Sequence, residues 1–419
     1  MDKMLEMLFE PERWEYALEK GVDKEINQSL LRSFTSPEMR ACMYRAIRDG
    51  KYEIMPPHTA LIPKDTPGEF RTVYVNEGVD RILLSIINDM LFEMMPEMVH
   101  PSCKSYQKGI GCGKVVQKAS AEICKYDADV IGYKADLSKY FDSVPLEFID
   151  WALDRVEAKH GKSKVIDVVR KYYHCDLYFD TDNVLQKNYQ SLKQGCAVAS
   201  WLADVILYDM DEMLTNMRGY YVRYSDDILY VGGDYESAME IMRQCLSVKG
   251  LKLNPKKVEY LSKDRYFKFL GFSIKGKDIT LSSTRIKTFQ KEIEKRTIKQ
   301  RNISPERALN QVNRYLYKGD GEHSWATQVL GIVNVDDDIK IMNEFVMDCL
   351  RAVQTNRKKV GGLGYVPTNK ACIVRGIGKN VKANRLKTAK MINGYYSLNT
   401  MRKAMLCTKS VYDTLVMQM

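Results

Sequence analysis

The decapeptide VRYSDDILYV, Val222–Val231, sets two adjacent carboxylates into a run of strand formers. Val222, Tyr224, Ile228, Tyr230 and Val231 favour extended backbone, whereas Ser225, Asp226 and Asp227 favour a turn, so the stretch reads as a hairpin with an exposed acidic tip. Alone, such a pair is an ordinary solvated turn. Its meaning depends on which other acids the chain can bring to it.

Upstream, VIGYKAD (130–136) reads as a strand ending on Asp136, and KADLSKYFDSV (134–144) adds Asp142 six residues on. Metal-dependent phosphoryl transfer needs carboxylates from separate strands converging on one point, to hold two cations about 3.5–4 Å apart. Asp136 with Asp226 and Asp227 has that pattern. Between them, in LKQGCAVASWLAD (192–204), a Gln194-Gly195 turn opens an amphipathic helix over 199–214.

Nearer the N-terminus, Ser36-Pro37-Glu38 has the form of an N-cap, N1 proline and first-turn acid, and begins a helix that runs to Gly50. TALIPKDTPGEFRTVYV (59–75) alternates about Asp65-Thr66-Pro67-Gly68 as a β-hairpin, with Lys64 opposite Glu69 and with Lys64 and Arg71 on one face. A helix with Leu83, Leu84, Ile86, Ile87, Met90, Leu91 and Met94 on a broad apolar face follows, its methionines read as core filler. From 130 to 278 short strands alternate with helices, and beyond 280 the pattern is helical. Ser304-Pro305-Glu306 starts one helix there and Gly319 stops it. VGGLGYVP (360–367) reads as a linker.

The 419 residues, 45% hydrophobic, suffice for a sizeable core in two to four folding units. The net charge of +10 is uneven: residues 351–419 hold 14 Lys/Arg and a single acid, Asp413, for +13, leaving −3 on the rest. The tail therefore carries the polyanion signal. The ten cysteines include no CxxC pair, a spacing expected of reduced thiols in a cytoplasmic protein; the adjacent His174-Cys175 reads as structural. Acids inside the first apolar run, and no apolar stretch near about 18 residues, argue against export and membrane insertion.

In this order the segments around Asp136, Gln194-Gly195 and Asp226-Asp227 resemble motifs A, B and C of bacterial reverse transcriptases. LIPK through Arg71 is similar to the fingers hairpin of that family, Asp80-Arg81 to the acid-arginine pair after it, LNPKKV with Lys257 to motif D, and FLGF (269–272) to the primer grip. The resemblance covers about residues 55–320. It implies an α+β right-hand polymerase with fingers to 129, a palm of antiparallel sheet plus helices over 130–278, a helical thumb over 279–360 and a basic RNA-binding extension over 361–419.

It further implies RNA-directed DNA synthesis with two Mg²⁺ ions, or Mn²⁺, at Asp136, Asp226 and Asp227, and Lys257 as a proton donor. Lys64, Arg71, Phe141, Gln194 and Gly195 would bind the dNTP. Phe141, five residues after Asp136, matches the family's steric gate against a 2′-hydroxyl or is a plain core aromatic. Motif B departs from the pattern, with Ala199 and Ser200 where the family has Ser-Pro.

With no nuclease-type Cys or His pattern after 361 and no second acidic cluster, the chain looks most like a defence-associated enzyme of the class 2 kind. Such an enzyme copies a noncoding RNA in antiviral defence and carries an RNA–DNA duplex product. Retron and diversity-generating enzymes are the alternatives within the family, and an inactive RNA-binding palm is the alternative outside it; oligomeric state is not readable.

Two glycine-rich stretches, KGIGCGK (108–114) and RGIGKN (375–380), lack GxxxxGK[ST] and read as turns. In RIKTFQKEIEKRTIKQR (285–301), Lys287, Lys291, Lys295 and Lys299 recur every fourth residue, either as a solvated face or as a row tracking a duplex backbone. In the tail, Arg375, Lys379, Arg385 and Lys387 would bind RNA, with Tyr365, Tyr395 and Tyr396 stacking on unpaired bases.

Overall fold

The computed structural model describes residues 2–19, 28–64, 68–107, 109–319, 324–354 and 394–418. Its helices are α1 (Lys3–Leu8), α2 (Pro11–Glu19), α3 (Gln28–Phe34), α4 (Pro37–Arg48), α5 (Gly78–Met94), α6 (Cys112–Ile123), α7 (Tyr140–Ser143), α8 (Leu146–His160), α9 (Lys164–His174), α10 (Val198–Val205), α11 (Tyr208–Thr215), α12 (Tyr235–Val248), α13 (Ser283–Lys295), α14 (Pro305–Asn313), α15 (Trp325–Val329), α16 (Asp336–Gln354), α17 (Leu398–Cys407) and α18 (Lys409–Met417). The strands are β1 (His58–Pro63), β2 (Phe70–Val75), β3 (Gly132–Asp136), β4 (Leu177–Phe179), β5 (Leu185–Lys187), β6 (Tyr220–Tyr224), β7 (Asp227–Val231), β8 (Glu259–Leu261), β9 (Phe267–Phe269), β10 (Phe272–Lys275) and β11 (Asp278–Leu281). Two compact units result: Met1–Ile110 with Ile131–Tyr260, and Gly111–Val130 with Leu261–Met419. These units cut across the boundaries at 129 and 278 that the sequence suggests.

The first unit is built on a sheet in the order β6-β7-β3-β8. Its inner strands are covered on both faces: Ile228, Leu229, Tyr230 and Val231 are fully buried, as are Tyr133 and Ala135, which is why neither strand alternates cleanly in sequence. The apolar face of α5 behaves as expected, with Leu83, Leu84, Ile86, Ile87, Met90 and Leu91 in the core, packed against α10. Ser36 caps α4 by accepting from the Met39 N–H. The Asp2 carboxylate accepts from the amides of Leu5 (3.1 Å) and Lys164 (2.7 Å), so one anion sits at the positive ends of both α1 and α9.

A second sheet in this unit runs β2-β1-β4-β5. The β1–β2 hairpin has the register read from sequence: Ile62 lies opposite Arg71, and the Lys64 amide donates to the Glu69 carbonyl at 2.9 Å. Lys64 and Arg71 therefore share a face. Residues 65–67 of its turn lie outside the described residues. The short β4–β5 pair, joined in parallel to β1 at His58 and Phe179, had no sequence signal, because three residues are too few to display a period.

In the second unit β9, β10 and β11 form an antiparallel sheet. Ser120 of α6 donates to the Gly276 carbonyl at 2.7 Å, tying Gly111–Val130 to this sheet. Phe289 and Ile293 of α13 are buried, Ser304 caps α14, and Gly319 at φ +51° ends the π-helical turn Arg314–Lys318.

The described end of the chain is part of this core. Asn343 of α16 accepts from the Tyr395 hydroxyl (3.0 Å) and the Leu398 amide (2.9 Å), the Tyr317 hydroxyl donates to the Tyr396 carbonyl (2.5 Å), and Arg402 of α17 pairs with Asp336. Tyr395 is thus a buried strut, not the base-stacking platform expected of it. Arg375, Lys379, Arg385 and Lys387, with Tyr365 and the turn over 375–380, lie outside the described residues. No described helix is long and apolar enough to cross a membrane.

Candidate active site

β3 and β7 pair antiparallel with Asp136 opposite Asp227, so the acid at the end of one strand meets the acid at the start of the other. Asp226 adjoins them in the turn, its carbonyl accepting from the Leu137 amide at 3.2 Å. The Asp136 carbonyl accepts from the Asn254 amide at 2.8 Å, and Asn254 in turn caps the 3₁₀ turn Pro255–Lys257. That turn delivers Lys257, whose Nζ lies 2.6 Å from Asp136 Oδ2.

Burial raises the affinity of Asp226 for a proton, and the charge of Asp136 adds to it. Asp227 is pushed up to about 6, first by burial and then by Asp226 and Asp136. The pair is half-buried, not on the exposed tip read from sequence. Three carboxylates thus repel one another in a partly dehydrated place, an arrangement that a cation relieves.

Among the described residues no three His, Cys, Asp or Glu side chains form a ready metal cage. Mg²⁺ asks for less: it takes one or two carboxylates, keeps several waters and uses substrate phosphates for the rest. An all-oxygen donor set of this kind suits Mg²⁺ or Mn²⁺.

Beneath the turn lies a buried network that the sequence reading missed. Arg223, fully buried in β6, donates from Nε to Asp211 Oδ1 (2.7 Å), from Nη2 to Asp211 Oδ2 (2.5 Å) and the Asp204 carbonyl (2.8 Å), and from Nη1 to the carbonyls of Ala203 and Ser225 (both 3.2 Å). The Tyr221 hydroxyl also donates to Asp211 Oδ1 (2.6 Å). The clue was an arginine in mid-strand, flanked by the hydrophobic residues Val222 and Tyr224.

Burial raises the Asp142 carboxyl, and the charges of Lys139, then Lys64 and Arg71, act against that rise; Arg71, after Lys257, acts on Asp226 in the same sense. Strand β2 meets the Gln194-Gly195 turn directly, the Tyr74 amide donating to the Gln194 carbonyl at 2.7 Å. Gly195 is required there: at φ +109° a Cβ would stand 2.8 Å from the Tyr74 carbonyl oxygen. Phe141 is half-buried with its ring edge-on to Tyr140, and its carbonyl accepts from the Leu192 amide at 3.1 Å.

Asp80 turns inward instead, accepting from the Tyr52 hydroxyl (2.6 Å) and the Met55 amide (2.9 Å). At the altered motif B position, the single Ser200 hydroxyl proton has the Ala197 carbonyl at 2.6 Å and Asn88 Oδ1 at 3.1 Å as acceptors, so the hydroxyl serves the α10–α5 packing. His174 pairs with Asp150 at 3.0 Å, a structural contact as read. Lys193, before Gln194, is buried with Nζ on the carbonyls of Tyr172 (2.5 Å) and Cys175 (2.8 Å), closing the C-terminus of α9.

In the second unit Lys287, Lys291 and Lys295 are all exposed on α13, as an amphipathic reading requires. The row is shorter than its sequence period, because the helix ends at Lys295 and Lys299 pairs with Glu294 at 2.5 Å.

The chain belongs to the reverse transcriptase (RNA-dependent DNA polymerase) family, whose model matches residues 62–274, just over half of its length. No curated protein sequence matches it. Among solved structures, telomerase from Candida albicans in complex with the TWJ fragment of telomeric RNA is similar at 12% identity and a TM-score of 0.44, over 88% of this chain and 64% of that one. Apo telomerase from Candida tropicalis is similar at 14% identity and a TM-score of 0.44, over 72% and 57%. The chain spans less than two thirds of either. These are distant neighbours.

Proposed function

We propose that this chain is an RNA-directed DNA polymerase that joins a primer 3′-oxygen to the α-phosphorus of a dNTP, releasing pyrophosphate. The observation that carries the reading is the meeting of Asp136 with Asp226 and Asp227 at one strand pair, with Lys257 on Asp136 and the charge of Arg71 favouring the ionised form of Asp226. Asp136 and Asp226 would hold the metals, with Asp227 beside them. Two bound Mg²⁺ or Mn²⁺ ions supply a lowered 3′-hydroxyl pKa and neutralisation of charge on the phosphate oxygens. Lys64 and Arg71 neutralise the triphosphate, Lys257 gives a proton to the departing pyrophosphate, and Gln194 and Gly195 shape the nucleotide pocket beside Phe141.

The fingers, palm and thumb are read at 1–129, 130–278 and 279–360, with 361–419 as the basic extension. The exposed lysine row on α13, with Arg375, Lys379, Arg385 and Lys387, supports binding of an RNA–DNA duplex and of the template. That the template is a dedicated noncoding RNA, copied in antiviral defence in a cytoplasm, is supported by the motif pattern, the thiol spacing and the +13 of residues 351–419.

The test is Mg²⁺-dependent primer extension by wild type and by Asp226→Ala/Asp227→Ala, with sequencing of copurified nucleic acid. The variant should melt at or above wild type, since the repulsion among the acids is relieved, and should make no DNA. Extension near the wild-type rate would return the pair to the status of a turn.

A further inference from the structure

Ser225, the residue before the acid pair, has φ +57°, a left-handed backbone that costs a side-chain-bearing residue about 1–2 kcal/mol. Nothing in a serine prefers that conformation, so its surroundings must impose it. They hold every polar group it has. Its amide donates to Ser105 Oγ at 2.9 Å, its hydroxyl accepts from the Tyr106 hydroxyl at 3.3 Å, and its carbonyl accepts from Arg223.

Ser105 is itself fully buried. Its hydroxyl donates to Asp204 Oδ1 at 2.5 Å and has Cys103 Sγ at 3.2 Å. The segment carrying it is fixed by backbone, because the Arg223 amide donates to the Ser102 carbonyl (3.0 Å) and the Lys104 amide to the Arg223 carbonyl (2.8 Å), extending the sheet alongside β6. Asp204 belongs to α10, the helix that the Gln194-Gly195 turn opens. A continuous chain of contacts therefore runs from α10 through one hydroxyl to the amide of the residue before Asp226.

We propose that Ser105 is a positioning residue of the polymerase reaction, its hydroxyl bridging Asp204 of α10 to the Ser225 amide and so fixing where the Asp226 carboxylate points. The proposal rests on the polymerase reading for its reaction, but its geometric content is about cation binding and can be read without turnover. Groups that orient a metal-binding carboxylate are typically worth about 10- to 100-fold in metal affinity or activity.

The experiment compares wild type, Ser105→Ala and Ser105→Ala/Asp204→Leu. The double variant removes the buried carboxylate that the single variant leaves without its donor, so it stays folded where the single variant is unstable. Three quantities are measured: melting temperature, Mn²⁺ affinity by electron paramagnetic resonance, and kcat and KM for primer extension.

The expected result is Mn²⁺ affinity and kcat both down about 10- to 100-fold, with KM for dNTP within about threefold, in the single variant and equally in the double variant whose stability is restored. A double variant with wild-type stability, Mn²⁺ affinity and kcat would overturn the proposal. If wild type makes no DNA but Ser105→Ala still weakens Mn²⁺ binding, the positioning role stands and the polymerase reading falls. If wild type makes DNA and Mn²⁺ affinity is unmoved by either variant, the reverse holds.

Discussion

Replacing Arg223 by methionine should unfold the first unit far more readily than any change at the carboxylates above it. The guanidinium and the Asp211 carboxylate are both completely buried, and Arg223 supplies five donor contacts: two to Asp211 and one each to the carbonyls of Ala203, Asp204 and Ser225. Methionine matches much of the volume but donates nothing. Asp211 would be left in the interior with the Tyr221 hydroxyl as its remaining donor, and removal of one partner of such a pair costs about 3–5 kcal/mol. Against a total stability of about 5–15 kcal/mol, that is a large share. At about 2–4 °C per kcal/mol for a body of this size, the melting temperature should fall by roughly 10 °C. The double variant Arg223→Met/Asp211→Leu removes the stranded charge but not the three stranded carbonyls, so about half of the loss should return. Thermal melts and urea midpoints on all four members of the cycle give the coupling. A single variant within about 1 kcal/mol of wild type, or a double variant no better than the single, would refute the electrostatic account.

At the Gln194-Gly195 turn, Gly195→Ala forces a Cβ against the Tyr74 carbonyl in a left-handed backbone; KM for dNTP should rise as β2 and Arg71 are displaced, at a stability loss of roughly 1–3 kcal/mol, and unchanged KM and melting would contradict it. Asp204, whose Oδ2 is buried with no donor, is pushed up to about 6 by burial. Its folded pKa lies above the unfolded value of 3.8, so its contribution is intact below about pH 4 and is lost as pH rises through 6, amounting to about 3 kcal/mol. Asp204→Asn should therefore stabilise the protein at pH 8 and not at pH 4, and an equal effect at both, by urea midpoint, would dismiss the assignment. In the tail, changing the lysines and arginines of 357–390 to glutamine should leave melting unchanged while flattening the salt dependence of RNA binding. Ending the chain after Gln354 should instead collapse the second unit, since Leu398 and Met401 are fully buried; a truncated chain as stable as wild type would count against the packing.

What was legible in the sequence follows from how local each signal is. The Ser36 and Ser304 caps, the β1–β2 register and the apolar face of α5 are set by residues within a few positions of one another, and each appears as read. The convergence of Asp136 and Asp227 came from the ordered motif set, because a pairing across some ninety residues leaves no periodic trace. The Arg223 network could not be found the same way. The Arg223 side chain meets the Asp211 carboxylate of α11 and backbone carbonyls of α10 and the turn, and its backbone meets the loop at 102–105, so no local pattern marks its partners.

The same distinction divides the tail. Composition averages over 351–419 and returns one basic segment, yet the charge is unevenly distributed within it. Every acidic or basic residue of 394–418 falls on α17 or α18, the helical pair that closes against α16 through Asn343, whereas 355–393 holds ten lysines and arginines and no acid. Two physical roles would then share one stretch of sequence, packing in 394–418 and the proposed RNA binding in 355–393. A helix that buries Leu398 and Met401 contributes through area removed from water, which salt leaves largely intact, while a cationic segment contributes through counterion release, which salt abolishes. Ionic strength separates the two when wild type is compared with the glutamine-substituted tail: a steep fall of RNA affinity with salt that flattens in the variant, with the melting temperature level in both, assigns binding charge to 355–393 and leaves the fold to the residues after it.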